Sequence, residues 1–255
     1  MEKASALMNT KNTHCLNCHN VVKGNYCSKC GQSVHTSRIN IKHLVKELQY
    51  GFLHINKGIL YTTKELIFRP GKTVKDYILG KRVKYTKPFV FLIIMGVVYS
   101  LVFHFFHYFP MQEMNRQDSP VFEYIPIYKW YLEHYSLVVL LIIPFYSLST
   151  FWLFHKKEYN YAEHLVLFSY LTGAKIALLL CFYAIIYLTK SPHVYKIAQI
   201  FSEIYLIWGL TQFFKTTSWI KTLLKVLLSL VMALIIMLII ISIAFLILQI
   251  YNVKL

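Results

Sequence analysis

Five apolar stretches, each about as long as a bilayer-crossing helix, occupy the chain from Phe89 onward and dictate the environment in which it folds. A helix needs about 20 apolar residues to cross a hydrocarbon core of about 30 Å. Residues 89–109, 137–154, 164–188, 194–214 and 226–250 supply such stretches, and Pro144 is expected to kink the second. With 56% hydrophobic residues, the 255-residue chain is too apolar for a water-soluble surface. The predicted class is an all-α integral membrane bundle of about five transmembrane helices. Amphipathic interfacial helices and a small N-terminal four-cysteine zinc ribbon are expected to precede it.

Three domains follow from the changes in composition: residues 1–37, a zinc ribbon with a disordered leader; 38–88, basic interfacial helices; and 89–255, the transmembrane domain. Charge sets the expected topology. Of 27 Lys and Arg, sixteen precede the first span, and Lys156, Lys157, Lys215, Lys221 and Lys225 fall in the connections on the same side. Arg116, Lys129, Lys190 and Lys254 fall on the other. The bias places the N-terminus in the cytoplasm and the C-terminus outside. No cleavable signal is expected in the polar first forty residues. The net charge of +16 is concentrated ahead of the membrane, which points to anionic headgroups as its partner.

Within the polar module, Cys15-Leu16-Asn17-Cys18 and Cys27-Ser28-Lys29-Cys30 form two Cys-x-x-Cys pairs. Each pair makes a tight knuckle, and two knuckles close four thiolates around one tetrahedral ion. In a reducing cytoplasm this spacing favours metal over disulfides. One structural zinc per chain is predicted on Cys15, Cys18, Cys27 and Cys30, with His14, His19 and His35 as bystanders. Val21 to Lys23 and Asn25-Tyr26 are expected to pair as a hairpin turning at Gly24. Lys23, Lys29 and Tyr26 make a weak footprint for nucleic acid, so the ribbon's expected partner is a protein.

From Ile39 the pattern becomes amphipathic. Ile41, Leu44, Val45, Leu48 and Phe52 share one helical face, with Lys42, Lys46 and Glu47 elsewhere; a second helix is expected over about 57–68. Both are too polar to span and are expected to lie on the membrane. Arg69-Pro70-Gly71 ends the second helix, a third carries Val74, Tyr77 and Ile78, and Gly80 terminates it. Arg69, Lys81, Arg82, Lys84 and Lys87 are candidate ligands for lipid phosphates or an acidic partner segment, with Tyr77 and Tyr85 at headgroup level.

The Tyr26-Cys27-Ser28-Lys29-Cys30-Gly31-Gln32 run, the Arg69-Pro70-Gly71 turn, Tyr77 with Gly80-Lys81-Arg82, Tyr85 ahead of Pro88-Phe89, and Glu163-His164-Leu165 together resemble a bacterial family known mainly as a domain of unknown function. The resemblance implies an N-terminal zinc ribbon, several spans and an inner-membrane location. It brings no established activity.

Inside the spans, Lys175 lies eleven residues beyond His164, and Glu203 eleven before Phe214. An isolated charge at the centre of a span costs about 2.5 to 3.5 kcal/mol on insertion scales, so the two are expected to pair, with Gln199 extending the network. The pair either fixes helix register or lines a solute path. Glu163 and His164, at the inner mouth of the third span, are expected to cap and anchor it. His104 and His107 are read as interfacial side chains, Cys181 as packing, and residues 122–135 as a helix in the outer interface.

Three functions are therefore weighed. The first is a non-enzymatic inner-membrane protein whose ribbon and basic helices recruit or organise a partner. The second is a small transporter or channel built on Lys175 and Glu203, five spans sufficing alone or forming half of a dimeric pore. The third, a membrane enzyme acting on lipid, lacks a recognisable catalytic motif.

Overall fold

A computed structural model describes residues 13–51, 58–106, 134–154, 159–215 and 218–250. The expected interfacial helix at 122–135 falls almost wholly outside these residues, as do His107 and the leader. Among the described residues the fold is all-helical, with no strand. The helices are α1 (Ile41–Gly51), α2 (Ile59–Phe68), α3 (Pro70–Ile78), α4 (Pro88–Phe106), α5 (Tyr135–Leu153), α6 (Tyr161–Thr189), α7 (Pro192–Phe213) and α8 (Trp219–Ile250). Three of them, α4, α6 and α8 over its described length, are long and apolar enough to cross a membrane. The described part of α5 is apolar but shorter, and α7 carries His193, Lys196 and Glu203 along its length.

α6 is the axis of the bundle and packs against α4, α5 and α7. Its start is defined by a capping box: the Asn160 side chain accepts from the Glu163 N–H, and the Glu163 carboxylate accepts from the Asn160 N–H at 2.7 Å. Such a cap contributes about 1 kcal/mol and satisfies two otherwise orphaned donors. Ring contacts give the directions of its neighbours. Phe91 meets Tyr170 and Phe106 meets Tyr187, so α4 runs parallel to α6. Tyr146 meets Phe168, and Thr150 bonds His164, so α5 runs antiparallel. Phe182 against Phe201 and Leu171 against Gly209 give α7 the same antiparallel sense.

The short helices are packed into this bundle. The Tyr205 hydroxyl donates to the Leu66 carbonyl at 2.9 Å, and the Tyr170 hydroxyl to the Thr86 carbonyl at 2.6 Å. Pro70 occupies the first turn of α3, where its missing N–H costs nothing. Beside it, Gly71 donates its N–H to the Gln212 side chain at 2.7 Å, and a Cβ there would strike the α7 backbone.

The face of α1 differs from the simple periodic reading at Glu47. On α1, Leu44 and Glu47 are buried while Ile41 and Val45 are exposed, because Glu47 accepts a hydrogen bond from the Tyr77 hydroxyl at 3.1 Å. On α2, Leu66 and Thr62 point inward, and Leu60, Tyr61 and Phe68 remain exposed beside Lys64.

Candidate metal centre and its docking site

The cysteine module is two copies of one backbone loop offset by twelve residues. The Cys15 N–H donates to Asn20 O and the Cys27 N–H to Gln32 O, both at 2.8 Å. His19 and Gly31 donate back to Cys15 O and Cys27 O at the same distance, and both take left-handed backbone, at φ 59° and 75°. Val22 closes on Thr13, and Val34 on Asn25. Single bridges pair His14 with Val21 and Tyr26 with Ser33. The expected hairpin between Val21–Lys23 and Asn25-Tyr26 does not form. Each segment instead spends its hydrogen bonds closing its own knuckle, and Lys23-Gly24 simply links the two.

The loops bring the four Sγ atoms within 4.8 Å of one another. Cys15 and Cys30 are 3.5 Å apart, as are Cys18 and Cys27. Metal–sulfur bonds of about 2.3 Å in a tetrahedron require sulfur–sulfur edges of about 3.8 Å, close to these separations. The residues therefore fit a metal ion bound by four sulfurs. Burial pushes the Cys27 thiol up, but N–H groups of Cys30 and Lys29 and the neighbouring thiols outweigh it and bring it down. At Cys18 an Asn20 backbone bond is outweighed by burial and the neighbouring thiols, which push it up. Backbone donors aimed at sulfur favour the thiolate that a metal requires. His14, His19 and His35 are exposed and do not belong to the four-sulfur group.

The module sits on the connector that leads into α4. Gln32 is buried; its Nε2 donates to Gly80 O at 2.7 Å, and its Oε1 accepts from the Arg82 N–H at 3.2 Å. Gly80 has φ +98°, and a Cβ there would lie 2.7 Å from the Leu16 side chain. Leu16 lies between the first two cysteines, so the knuckle itself rests on the turn. Arg82 donates to Ser37 O at 3.0 Å and stacks over the Tyr77 ring.

A second attachment follows six residues after Gln32. Arg38 grips Glu163 with two parallel bonds of 2.9 Å, Nε to Oε1 and one terminal nitrogen to Oε2. The planar guanidinium matches a carboxylate in this forked geometry. Asn160 donates to Ile39 O at 2.9 Å, adding a backbone clasp. Next to Glu163, His164 is fully buried, shares a 2.9 Å hydrogen bond with Thr150, and stacks on Phe214. Glu163 thus caps α6 as expected and also fastens a segment 125 residues earlier.

The remaining candidates divide. Arg69 pairs with Glu65, Lys81 with Asp76 at 2.8 Å, and Lys84 lies over Tyr61. Lys87 is half-buried. Tyr77 and Tyr85 are packed inside the protein, 1% and 8% exposed, where Tyr77 meets the rings of both Tyr85 and Tyr170. Burial, with Glu47 beside it, holds the Tyr77 hydroxyl well above its usual range. Lys175 and Glu203 form an ion pair between α6 and α7. Gln199 bonds the Tyr195 hydroxyl at 2.9 Å.

Residues 56–100 match a family model described as Protein of unknown function (DUF3667). The DUF3667 segment holds α2, α3, the basic connector and the first part of α4, so it includes the surface on which the cysteine module rests. No curated protein and no solved structure matches the chain.

Sequence alone singles out neither Arg38 nor Asn160, because their partners are distant in the chain. Gln32 stands in the motif around the second knuckle, but its role depends on where Gly80 lies.

Proposed function

We propose that this chain is a non-enzymatic protein of the bacterial inner membrane in which a structural zinc ribbon, fixed on a basic connector, recruits or organises a partner protein at the cytoplasmic face. The observation that carries this reading is the docking of the cysteine module through Gln32 and Arg38. A module held at two points presents a fixed surface. Val21, Lys23, Tyr26 and Lys29 of the module are exposed, a mixed apolar and basic set suited to an acidic protein segment. Four thiolates leave an ion no open coordination position, which supports a structural zinc over a catalytic one.

In this reading five helices span, with the N-terminus inside and the C-terminus outside, in agreement with the charge bias. Leu60 and Phe68 dip into the interface, and Lys64, Arg69 and Lys84 meet anionic headgroups. Affinity purification of the full chain from native membranes is the test. A partner should co-purify with the native chain and be lost from Lys23→Glu combined with Tyr26→Ala, while zinc content stays the same. Identical partner recovery from both chains would overturn the role given to the ribbon.

A second reading, a small transporter, is favoured by one observation: the contact between Lys175 and Glu203 beside a cavity. Solute flux in vesicles that survives deletion of residues 1–37 would support it over the first.

A further inference from the structure

A cavity of about 210 Å³ lies between α5, α6 and α7. α5 lines it with Tyr135, Val139, Ile142, Ile143 and Tyr146, α6 with Phe168, Thr172 and Lys175, and α7 with Glu203 and Leu206, so an ion pair and a hydroxyl share the space with large apolar side chains. The Lys175 side chain is 16% exposed and that of Glu203 54%, so the cavity reaches the outside of the bundle at Glu203. The α7 surface around this opening is apolar, with Ile200 and Ile204 exposed. α8 is buried along Thr222, Val226, Ser229 and Ala233, and beyond them Leu234, Ile235, Leu238 and Ile239 are exposed. The lining comes from α5, α6 and α7, without α8.

In a bilayer neither simple occupant suits this mixed lining. The space admits several water molecules, but water would face five large apolar side chains. An acyl chain satisfies those side chains but leaves the ion pair without polar contacts, although the ammonium has three donors and the carboxylate two oxygens. An amphiphile fits both. The pair is itself neutral, so a charged head would bring an uncompensated charge into the low-dielectric interior.

We propose that the cavity is a lateral-entry site for an uncharged single-chain amphiphile. Its hydroxyl or amide head accepts from Lys175 Nζ and donates to Glu203, and the first part of its chain lies against Ile142, Ile143 and Phe168. This rests on the apolar helices lying in a bilayer and is independent of the partner role of the ribbon.

The test uses the full chain in phosphatidylcholine nanodiscs with radiolabelled monooleoylglycerol. Saturable binding near one per chain is expected, with oleate and octadecene competing at least about tenfold more weakly. Thr172→Phe and Ile143→Phe, which fill the cavity from two different helices, should each weaken binding by at least about tenfold, as should Lys175→Met combined with Glu203→Gln. Non-saturable uptake, equal binding by native and filled chains of unchanged thermal stability, or stronger competition by oleate would each overturn the proposal. The competition experiment needs no variant, so it decides the question even if a filled cavity prevents folding. Release of the native chain from membranes by alkaline carbonate would remove the bilayer premise, a failure distinct from loss of binding.

Discussion

Two ion pairs engage α6, and they are built differently. At its start, Arg38 meets Glu163 in a forked pair, and Glu163 is almost completely buried. Both carboxylate oxygens are used, one of them also by the Asn160 N–H. Near the middle of the helix, Lys175 reaches Glu203 with that carboxylate half exposed beside a cavity. A fully satisfied buried pair fastens two parts of a chain. A pair with spare donors and acceptors at the edge of a cavity can accept something else.

The largest effect is expected at the four-cysteine site, where a bound ion would hold the region around the first pair. Cys18→Ser or Cys27→Ser should lower bound zinc from about one per chain to near none, measured by metal analysis of the purified protein. Proteolysis should then accelerate at Lys29 and Arg38 while the helices from Pro88 onward stay protected. Equal protection at both ends would mean that the two regions are not separable.

Removing the fastening should come next. Glu163→Ala takes the carboxylate from Arg38 and half of the capping box from α6, and should cost about 2–4 kcal/mol in detergent unfolding. Lys175→Met should cost less than that, because the carboxylate it leaves is half exposed rather than buried and no helix start depends on it. If the second substitution costs as much as the first, the distinction between the pairs fails. Gly80→Ala lies between them, at about 1–3 kcal/mol, since alanine would take a left-handed backbone and press on Leu16.

The smallest effect concerns Glu47, the carboxylate that α1 buries against Tyr77. Burial raises its pKa, opposed by the Tyr77 hydrogen bond and by Arg82 and Lys87. The folded chain therefore holds this proton at pH values where the unfolded chain has released it. Its contribution to stability should decline as pH rises from the ordinary carboxylate value through the raised folded one. Glu47→Gln, which can still accept from Tyr77, should flatten that part of a stability profile measured in detergent.

Much of this arrangement is written in local pattern. Two Cys-x-x-Cys pairs predict a four-sulfur cluster because the ligands are close in sequence and the knuckle is a backbone property. Apolar length predicts the long helices, and the turns at Arg69-Pro70-Gly71 and Gly80 follow from proline and glycine stereochemistry. The expected hairpin failed where two closures competed for the same backbone groups, and periodicity misplaced Glu47 on α1 because a tyrosine thirty residues away holds it inside. The sequence by itself determined the cysteine cluster, the helical class and the places where helices stop, since each depends on residues within a few positions of one another. Only the tertiary structure decided that Gln32 and Arg38 dock the module onto Gly80, Arg82 and Glu163, that Tyr77 is core, and that Lys175 and Glu203 border a cavity. Those contacts join residues 28 to 125 positions apart, and their energy exists only once the intervening chain has folded to bring them together.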